Sequence, residues 1–238
     1  MIYDIADLRI DIRNKYEYTD RFCRAYLSDD QHSPADIVAS VSREDLIAEK
    51  ELVEGFSDGY VENICLYRNI CRQLPLKNRF LLHAAVLEYQ GNGYAFLGRS
   101  GTGKSTHTGL WLQYIDGTKI VNGDKPIIRY TRQGFFAYGT PWMGKENRGY
   151  KTCVPLKALC FLQQAPENEI RSLTVKETVK LVFPQILHPI EADNAAKMLE
   201  LTDALVQEVP SYLLRCTISE EAVNKSFEAL TGEKYNGK

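Results

Sequence analysis

Apolar and polar residues alternate near the beginning of the chain, and their spacing changes further along. Residues 5–13 show the period-two pattern of a half-exposed β-strand, and residues 36–41 form a second candidate strand. From Asp58 the apolar residues recur every three or four positions, which predicts an amphipathic helix that ends at Pro75. We therefore expect residues 1–75 to form a small α+β region that packs on the rest of the chain.

The central part of the chain alternates strands with one helix. Residues 81–89 and 94–97 predict two strands joined by a tight turn, so an antiparallel hairpin comes directly before the glycine-rich stretch. A helix over residues 105–115 follows and stops at Asp116-Gly117. Further strands are expected at residues 118–124, 125–130, 135–138 and 156–162.

Beyond Pro166 the pattern becomes mainly helical, with one more strand expected at residues 209–216. Thr217 and Glu220 have the spacing of a capping box for the last helix. Residues 76–238 are therefore predicted to form an α/β core with a mixed sheet and a helical C-terminal part.

The stretch G98-R-S-G-T-G-K-S-T106 carries the clearest chemical signal, because it fits G-x-x-x-x-G-K-[ST] at every fixed position. Glycines let such a loop curl until its backbone N–H groups converge on one anion. The lysine then reaches the β- and γ-phosphates, and the serine hydroxyl binds Mg²⁺. The positive end of the following helix dipole adds to this. We therefore predict that ATP and Mg²⁺ bind through Gly98, Ser100, Gly101, Thr102, Gly103, Lys104, Ser105 and Thr106.

Asp124 follows Lys104 by twenty residues and ends a predicted strand. One helix and one returning strand would bring it back beside the loop, where a carboxylate can hold Mg²⁺ or accept a proton from an attacking hydroxyl. A simple turn aspartate in N-G-D-K-P is the alternative, since Gly, Asp and Pro all favour turns. The spacing from Lys104 favours a catalytic and metal-binding role.

His83 is a second candidate catalytic residue. It lies within a predicted apolar strand, in register with Leu81 and Ala85, so a buried core histidine is the equal alternative. The hairpin places this strand beside the one that leads into the glycine-rich loop.

Residues 139–151 form a third candidate, a basic segment that contains three glycines. Its Lys145, Arg148 and Lys151 could close over bound phosphates and stabilise charge on a transferred group. A solvated surface loop is the alternative. The ordered character of G-T-P-W favours a functional role, with Arg148 catalytic and Lys145 binding the nucleotide.

Charge and composition narrow the function class. The 238 residues carry a net charge of −2, but residues 76–165 hold 12 Lys and Arg against 4 Asp and Glu. Such concentrated positive charge suits phosphate collection, whereas nucleic-acid binding would favour a basic run or aromatic stacking motif that the sequence lacks. We expect no membrane contact and a cytoplasmic protein with reduced cysteines, because neither a signal peptide nor a membrane-spanning apolar run is found.

Together these features resemble the HPr kinase/phosphorylase and PEP carboxykinase type of P-loop fold. The matching residues are Leu82-His83 before the hairpin, the loop from Gly98 to Ser105, and Asp124 one helix and strand later. With G-D-K-P and G-T-P-W-x-G-K, the chain looks closest to small HPr-kinase-like bacterial kinases, some of which sit in peptide-modification gene clusters. The resemblance covers about residues 80–165.

The resemblance implies specific roles. Asp124 would take the hydroxyl proton with support from His83, Lys104 would bind phosphates, and Ser105 the metal. HPr kinase has paired aspartates where this chain has Gly123-Asp124, and its C-terminal motif is absent, so HPr itself is not the expected substrate. The family's enzymes often assemble, which allows a homo-oligomer.

Two functions from different classes follow. The first is a kinase that transfers the γ-phosphoryl group of ATP to a hydroxyl, either a serine of a protein or peptide or a small molecule. The second is a non-catalytic module in which the nucleotide orders loops for partner binding. The intact set of Lys104, Ser105 and Asp124 favours the kinase.

Overall fold

The N-terminal part of the molecule is a three-stranded sheet covered by helices. The structure is a computed structural model that describes residues 1–53 and 55–237. Strands β1 (Ile2–Ile5) and β2 (Leu8–Arg13) form an antiparallel hairpin, and β3 (Ile37–Ser40) pairs with β2 in parallel. The predicted second strand is confirmed. The prediction of one strand over residues 5–13 is wrong, because Ala6 and Asp7 have φ angles of 53° and 54° and make a tight turn.

Three helices complete this part: α1 (Glu17–Phe22), α2 (Arg43–Leu52) and α3 (Asp58–Gln73). Helix α3 is the helix that the apolar stripe predicted, and the side chain of Ser57 caps its beginning. Helix α2 has a Ser42–Asp45 capping box that the sequence analysis missed. Apolar residues of α3 pack with those of β1–β3 in one buried cluster.

A second, mixed sheet of nine strands forms the rest of the α/β fold, and its main path runs β4-β8-β9-β10-β6-β5-β7. The long strand β10 joins its two parts, since it pairs with β9 in antiparallel orientation at its beginning and with β6 and β12 in parallel further on. The strands are β4 (Arg79–Leu81), β5 (Ala84–Tyr89), β6 (Asn92–Leu97), β7 (Lys119–Asn122), β8 (Ile127–Thr131), β9 (Gly134–Tyr138), β10 (Cys153–Gln164), β11 (Glu169–Ser172) and β12 (Ser211–Cys216).

Helices cover both faces of this sheet. Helices α5 (Val175–Val182) and α6 (Ala192–Glu208) contribute to one apolar cluster with the strands, whereas α4 (Lys104–Tyr114) and α7 (Glu220–Thr231) contribute to another. The capping-box prediction is wrong, because Ser219, not Thr217, accepts the hydrogen bond from the backbone N–H of Ala222. None of the helices in the described part of the chain is both long and apolar enough to cross a membrane.

The predicted strand over residues 81–89 breaks at His83. Leu81 ends β4, Ala84 begins β5, and His83 lies between two differently paired strands, which corrects its predicted place inside one strand. The β5–β6 hairpin before the glycine-rich loop is confirmed. The strand predicted for residues 118–124 ends at Asn122, so Asp124 lies in the turn that follows.

The two sheets share one apolar cluster. Leu81, Ile127, Tyr138 and Trp142 of the larger sheet and its loops pack with residues of β1–β3 and α3. Nearby, the buried guanidinium of Arg79 donates to the carbonyl of Ala6 at 2.7 Å and to that of Asp7 at 3.3 Å. The N-terminal hairpin is thus fixed on the larger sheet by both apolar and polar contacts.

Candidate functional site

The glycine-rich loop connects the end of β6 to the beginning of α4. Gly101 and Gly103 adopt φ angles of 82° and 99°, which side chains other than glycine rarely adopt. Gly98 is confined sterically, since a Cβ atom there would lie 2.6 Å from Thr102 Oγ1 and 3.2 Å from the carbonyl oxygen of Leu162. The loop then passes directly into α4, whose first N–H groups have no intrahelical partner.

Lys104, the first residue of α4, turns its side chain back across the loop. Its Nζ donates to the carbonyl of Gly98 at 2.8 Å and to that of Arg99 at 3.4 Å. Burial lowers the pKa of Lys104 below its usual value, Asp124 opposes this shift, and Lys125 adds to it. The position of the ammonium group is therefore fixed by hydrogen bonds to the main chain of the glycine-rich loop.

A cleft of about 930 Å³ opens beside the loop. This volume is at the upper end of the range for small-molecule sites. From the larger sheet and its loops, the wall includes His83, Ser100, Gly101, Gly103, Lys104, Ser105, Thr106, Gly123, Asp124, Lys125, Trp142, Met143, Gly144, Lys145, Glu146 and Arg148. The structure thus brings together all four predicted catalytic residues.

His83 and Asp124 form a direct pair in this cleft. His83 Nε2 lies 3.1 Å from Asp124 Oδ1, so the ring N–H donates to the carboxylate. The main chain sets this pairing: the N–H of Leu82 donates to the carbonyl of Pro126 at 3.1 Å, and that of Ala84 to the carbonyl of Asp124 at 3.0 Å. These two bonds flank His83 and hold the Asp124 turn alongside the break between β4 and β5.

Lys125 is a second partner of the carboxylate, which the sequence analysis missed. Its Nζ lies 2.7 Å from Asp124 Oδ2. Burial alone would raise the pKa of Asp124, but the hydrogen bonds from His83 and Lys125 outweigh it and lower the pKa to about 2. Asp124 is therefore an anion throughout the neutral range.

Asn122, also missed, positions the whole turn. The side chain is fully buried, and its Oδ1 accepts from the backbone N–H groups of Asp124 at 2.9 Å and Lys125 at 2.7 Å. Its Nδ2 donates to Thr140 Oγ1 at 3.0 Å, which ties the turn to the start of the basic segment. The N-G-D-K sequence is thus a turn and also part of the cleft, so the two interpretations of Asp124 are compatible.

The basic segment 139–151 packs against the same turn. The N–H of Gly123 donates to the carbonyl of Arg148 at 2.9 Å, and Gly149 forms an isolated antiparallel bridge with Asn122. A Cβ atom at Gly144 would lie 2.8 Å from the Cβ of Asp124. Arg148 is half exposed and lines the cleft, and its Nε lies 3.4 Å from Glu146 Oε2, so the two residues form an ion pair at the cleft surface.

Three residues of the predicted segments lie elsewhere. Gly98 is outside the cleft wall, and Thr102 donates to the carbonyl of Arg99 at 2.9 Å and faces a second, smaller cleft. Lys151 places its Nζ 5.9 Å from the ring centre of Tyr26. The opposite wall of the cleft, which comes from α1 and α3, had no motif that could reveal it: Tyr18, Phe22, Tyr60, Asn63, Ile64, Tyr67 and Arg68.

Comparison with known families gives one match. The model of a family described as SynChlorMet cassette protein ScmC matches residues 60–227, more than two thirds of the chain. The chain belongs to the ScmC family. The ScmC match begins in α3 and ends in α7, so it contains the glycine-rich loop, His83, Asp124 and the basic segment. Strands β1–β3 and helix α1 of this ScmC protein lie outside the match. No curated protein matches the chain.

Proposed function

We propose that this ScmC-family protein is an ATP-dependent kinase that transfers the γ-phosphoryl group to a hydroxyl, with a P-loop core of the HPr kinase and PEP carboxykinase type. One observation carries the proposal: a single cleft is lined both by the Gly103-Lys104-Ser105 end of the glycine-rich loop and by the His83–Asp124 pair. Phosphoryl transfer needs positioning and charge stabilisation more than covalent chemistry from the protein, and this cleft offers both.

The loop residues fit the triphosphate. Gly101 and Gly103 have the left-handed conformations with which such loops direct N–H groups at an anion, and the Lys104 side chain lies against the loop. Mg²⁺ would be held by the Ser105 hydroxyl and the Asp124 carboxylate, and it would neutralise charge on the phosphates. In the sites of nucleotide-binding proteins Mg²⁺ is usually held by one or two protein oxygens together with phosphates and water.

Asp124 would orient the acceptor hydroxyl and receive its proton as the oxygen attacks the γ-phosphorus and the bond to the β,γ-bridging oxygen breaks. His83 fixes the carboxylate through Nε2–H. Lys145 and Arg148 at the mouth of the cleft would stabilise the negative charge on the transferred group.

Asp124→Asn tests the proposal, because asparagine keeps the size of the side chain but cannot accept the proton. We expect Mg²⁺-ATP still to bind in calorimetry, because the loop and Lys104 are intact and only one proposed Mg²⁺ ligand is weakened, while transfer of labelled phosphate falls about a hundredfold or more. Asp203→Asn is the matched control, since Asp203 lies on α6 outside the cleft and bonds only to Gln207 among its described partners. It should retain full transfer.

The same variant separates the alternatives. If Asp124 serves only as a metal ligand, excess Mg²⁺ should restore much of the rate. If it is only a turn residue, the melting temperature should fall while turnover per folded molecule is preserved. Wild-type protein that binds ATP but transfers phosphate to no hydroxyl acceptor would contradict the kinase and favour a nucleotide-binding module.

A further inference from the structure

The cleft wall supplied by the N-terminal region is largely aromatic, and the proposed transfer chemistry gives it no role. We call Tyr18, Phe22, Tyr60 and Tyr67 the aromatic wall; all four line the cleft and come from helices α1 and α3. Tyr67 is buried, whereas Tyr18, Phe22 and Tyr60 remain partly exposed. Exposed rings grouped in a cleft are typical of a binding surface.

Helices α1 and α3 are packed so that these rings form one surface. Tyr18 stacks on Phe22 with ring centres 5.9 Å apart and meets the edge of Tyr60 at the same distance. Gly59 permits the approach, since a Cβ atom there would lie 2.7 Å from the Cβ of Tyr18. Tyr60 in turn stacks at 4.5 Å on Phe56, which is 53% exposed. The aromatic wall thus continues from the cleft to the outer surface.

The aromatic wall adjoins Asp124 and not the far side of the glycine-rich loop. Lys125 Nζ connects the two, at 2.7 Å from Asp124 Oδ2 and 5.7 Å from the ring centre of Tyr67. A second cleft of about 400 Å³ shares Gly101, Gly103 and Thr106 with the first but does not include Asp124. With the γ-phosphate at Lys104 and Asp124, a nucleoside that extended toward that second cleft would leave the aromatic wall free for the acceptor.

Two buried polar atoms indicate what the acceptor carries. Asn63, 4% exposed, lines the cleft, and its Oδ1 has no hydrogen-bond partner among the described residues. Trp142, also a lining residue, has a buried Nε1–H with no acceptor there. Unsatisfied buried groups are costly, so a ligand that reached these two buried atoms, one on α3 and one in the loop that packs on Tyr67, would remove that cost. A peptide group supplies the complementary N–H and C=O.

We infer that the acceptor is a peptide whose hydroxyl-bearing residue is flanked by an apolar, preferably aromatic, side chain that packs on the aromatic wall. The inference rests on the proposed kinase function and names its substrate class. The backbone of this peptide would bond to Asn63 Oδ1 and Trp142 Nε1, while its hydroxyl reaches Asp124. The N-terminal region is then the part of the molecule that selects the acceptor.

Blocked tripeptides test the inference: acetyl-Phe-Ser-Ala-amide and acetyl-Ala-Ser-Phe-amide against acetyl-Ala-Ser-Ala-amide and acetyl-Glu-Ser-Ala-amide. With wild-type protein and labelled ATP, at least one Phe peptide should have a kcat/KM about tenfold or more above the Ala and Glu peptides, as expected for burial of one ring. Tyr60→Ala should abolish that preference and leave Mg²⁺-ATP affinity unchanged. Tyr130→Ala is the matched control, a partly buried tyrosine that stacks on Phe135 at 4.5 Å outside the cleft, and it should keep the preference.

Asn63→Leu separates a peptide-binding role from a structural one. If Asn63 makes no bond to the peptide, Asn63→Leu should raise the melting temperature, because it removes an unsatisfied buried oxygen. It should then also bind the Phe peptide more tightly, because the site becomes more apolar. We expect instead a kcat/KM for that peptide about fivefold or more below wild type. An unchanged or increased value would overturn the role of Asn63.

The outcomes for the function and for the inference are distinct. Equal transfer to all four peptides would overturn the inference and leave the kinase intact. Weaker ATP binding by Tyr60→Ala would show that the aromatic wall binds the adenine of the nucleotide, and this too would overturn the inference. If no peptide is phosphorylated but calorimetry shows that a Phe peptide binds wild-type protein and not Tyr60→Ala, the peptide site stands and the kinase fails.

Discussion

At the scale of single residues, His107 shows how the beginning of α4 is fixed. It lies three positions after Lys104 and is buried at 3% exposure. Its Nε2 lies 3.0 Å from Ser226 Oγ, which also accepts from Trp111 Nε1 at 2.9 Å and donates to the carbonyl of Val223 at 2.9 Å. Because the single hydroxyl proton goes to Val223, His107 Nε2 carries the ring proton and donates. The helix that begins at the loop is thereby bonded to α7.

This burial predicts a pH dependence of stability. Desolvation lowers the pKa of His107 from 6.5 to about 4, so between these values the unfolded state binds the proton and the folded state does not. Stability attributable to His107 is therefore intact above pH 6.5 and is lost as the pH falls toward 4. The loss should be about 2 kcal/mol between pH 7 and pH 5.

Urea unfolding of wild type and His107→Gln at both pH values measures this loss. Glutamine does not titrate and can still donate to Ser226, so its free energy of unfolding should fall by about 2 kcal/mol less than that of wild type between the two pH values. Parallel falls in both proteins would show that His107 does not cause the acid sensitivity.

Single residues also show what a sequence can reveal about this cleft. Lys104 and Ser105 could be predicted because a fixed spacing within eight residues determines their geometry. The roles of Asn122 and Lys125 could not be predicted. Asn122 bonds to Thr140, which is distant in the sequence, and no sequence pattern indicates that the Lys125 side chain bonds to the neighbouring Asp124 carboxylate. An asparagine before Gly-Asp is indistinguishable from any turn residue until the turn is placed.

At the scale of elements, the basic segment and the Asp124 turn are in steric contact at Gly144. Gly144 and Gly117 have nearly equal φ angles of 78° and 79°, so alanine strains the backbone equally at both. Only at Gly144 would the new Cβ meet another residue, Asp124, at 2.8 Å; at Gly117 nothing lies within 4 Å. The pair therefore separates backbone strain from displacement of the carboxylate.

We expect Gly117→Ala to lower the free energy of unfolding by about 1 kcal/mol and Gly144→Ala to lower it further, because the overlap with Asp124 adds to the backbone strain. If the protein is the proposed kinase, only Gly144→Ala should also reduce phosphoryl transfer, by about tenfold or more, because Asp124 would be displaced from its proposed position beside the acceptor. Denaturant unfolding and transfer assays on both variants check this. Equal transfer by the two variants would mean that the position of Asp124 tolerates the shift.

The sequence predicted the elements with a strong local pattern and missed those set by tertiary contacts. The apolar stripe of α3 and the β5–β6 hairpin are local signals. The break at His83 is not, because it arises where β4 pairs with β8 while β5 pairs with β6 and β7. Strand β11, which is mostly exposed, forms only through its antiparallel pairing with β12 and carries no apolar alternation.

At the scale of the whole molecule, two tryptophans report on different apolar clusters. Trp142 packs against Tyr67 with ring centres 5.2 Å apart, in the cluster that joins β1–β3 to the larger sheet. Trp111 is fully buried between the larger sheet and α7. Since the first cluster includes residues of both sheets, we expect the N-terminal region and the remainder to unfold together.

Trp111→Phe and Trp142→Phe each leave one reporter. In each variant the fluorescence transition in urea should coincide with the loss of helical circular dichroism, as in two-state unfolding. If the transition reported by Trp142 occurs at lower urea than the loss of helix, the N-terminal region unfolds on its own.

The hydrogen bonds of Lys104 to its own loop have a consequence for ligand discrimination. Because the side chain is held by the carbonyls of Gly98 and Arg99, its rotational entropy, up to about 2 kcal/mol for a lysine, is lost when the chain folds and not when a ligand arrives. A ligand must then compete with two carbonyl dipoles for the ammonium group. A neutral molecule is no better a hydrogen-bond acceptor than these carbonyls, whereas a multiply charged anion is. We therefore expect the ammonium group to leave the carbonyls only for strongly anionic ligands.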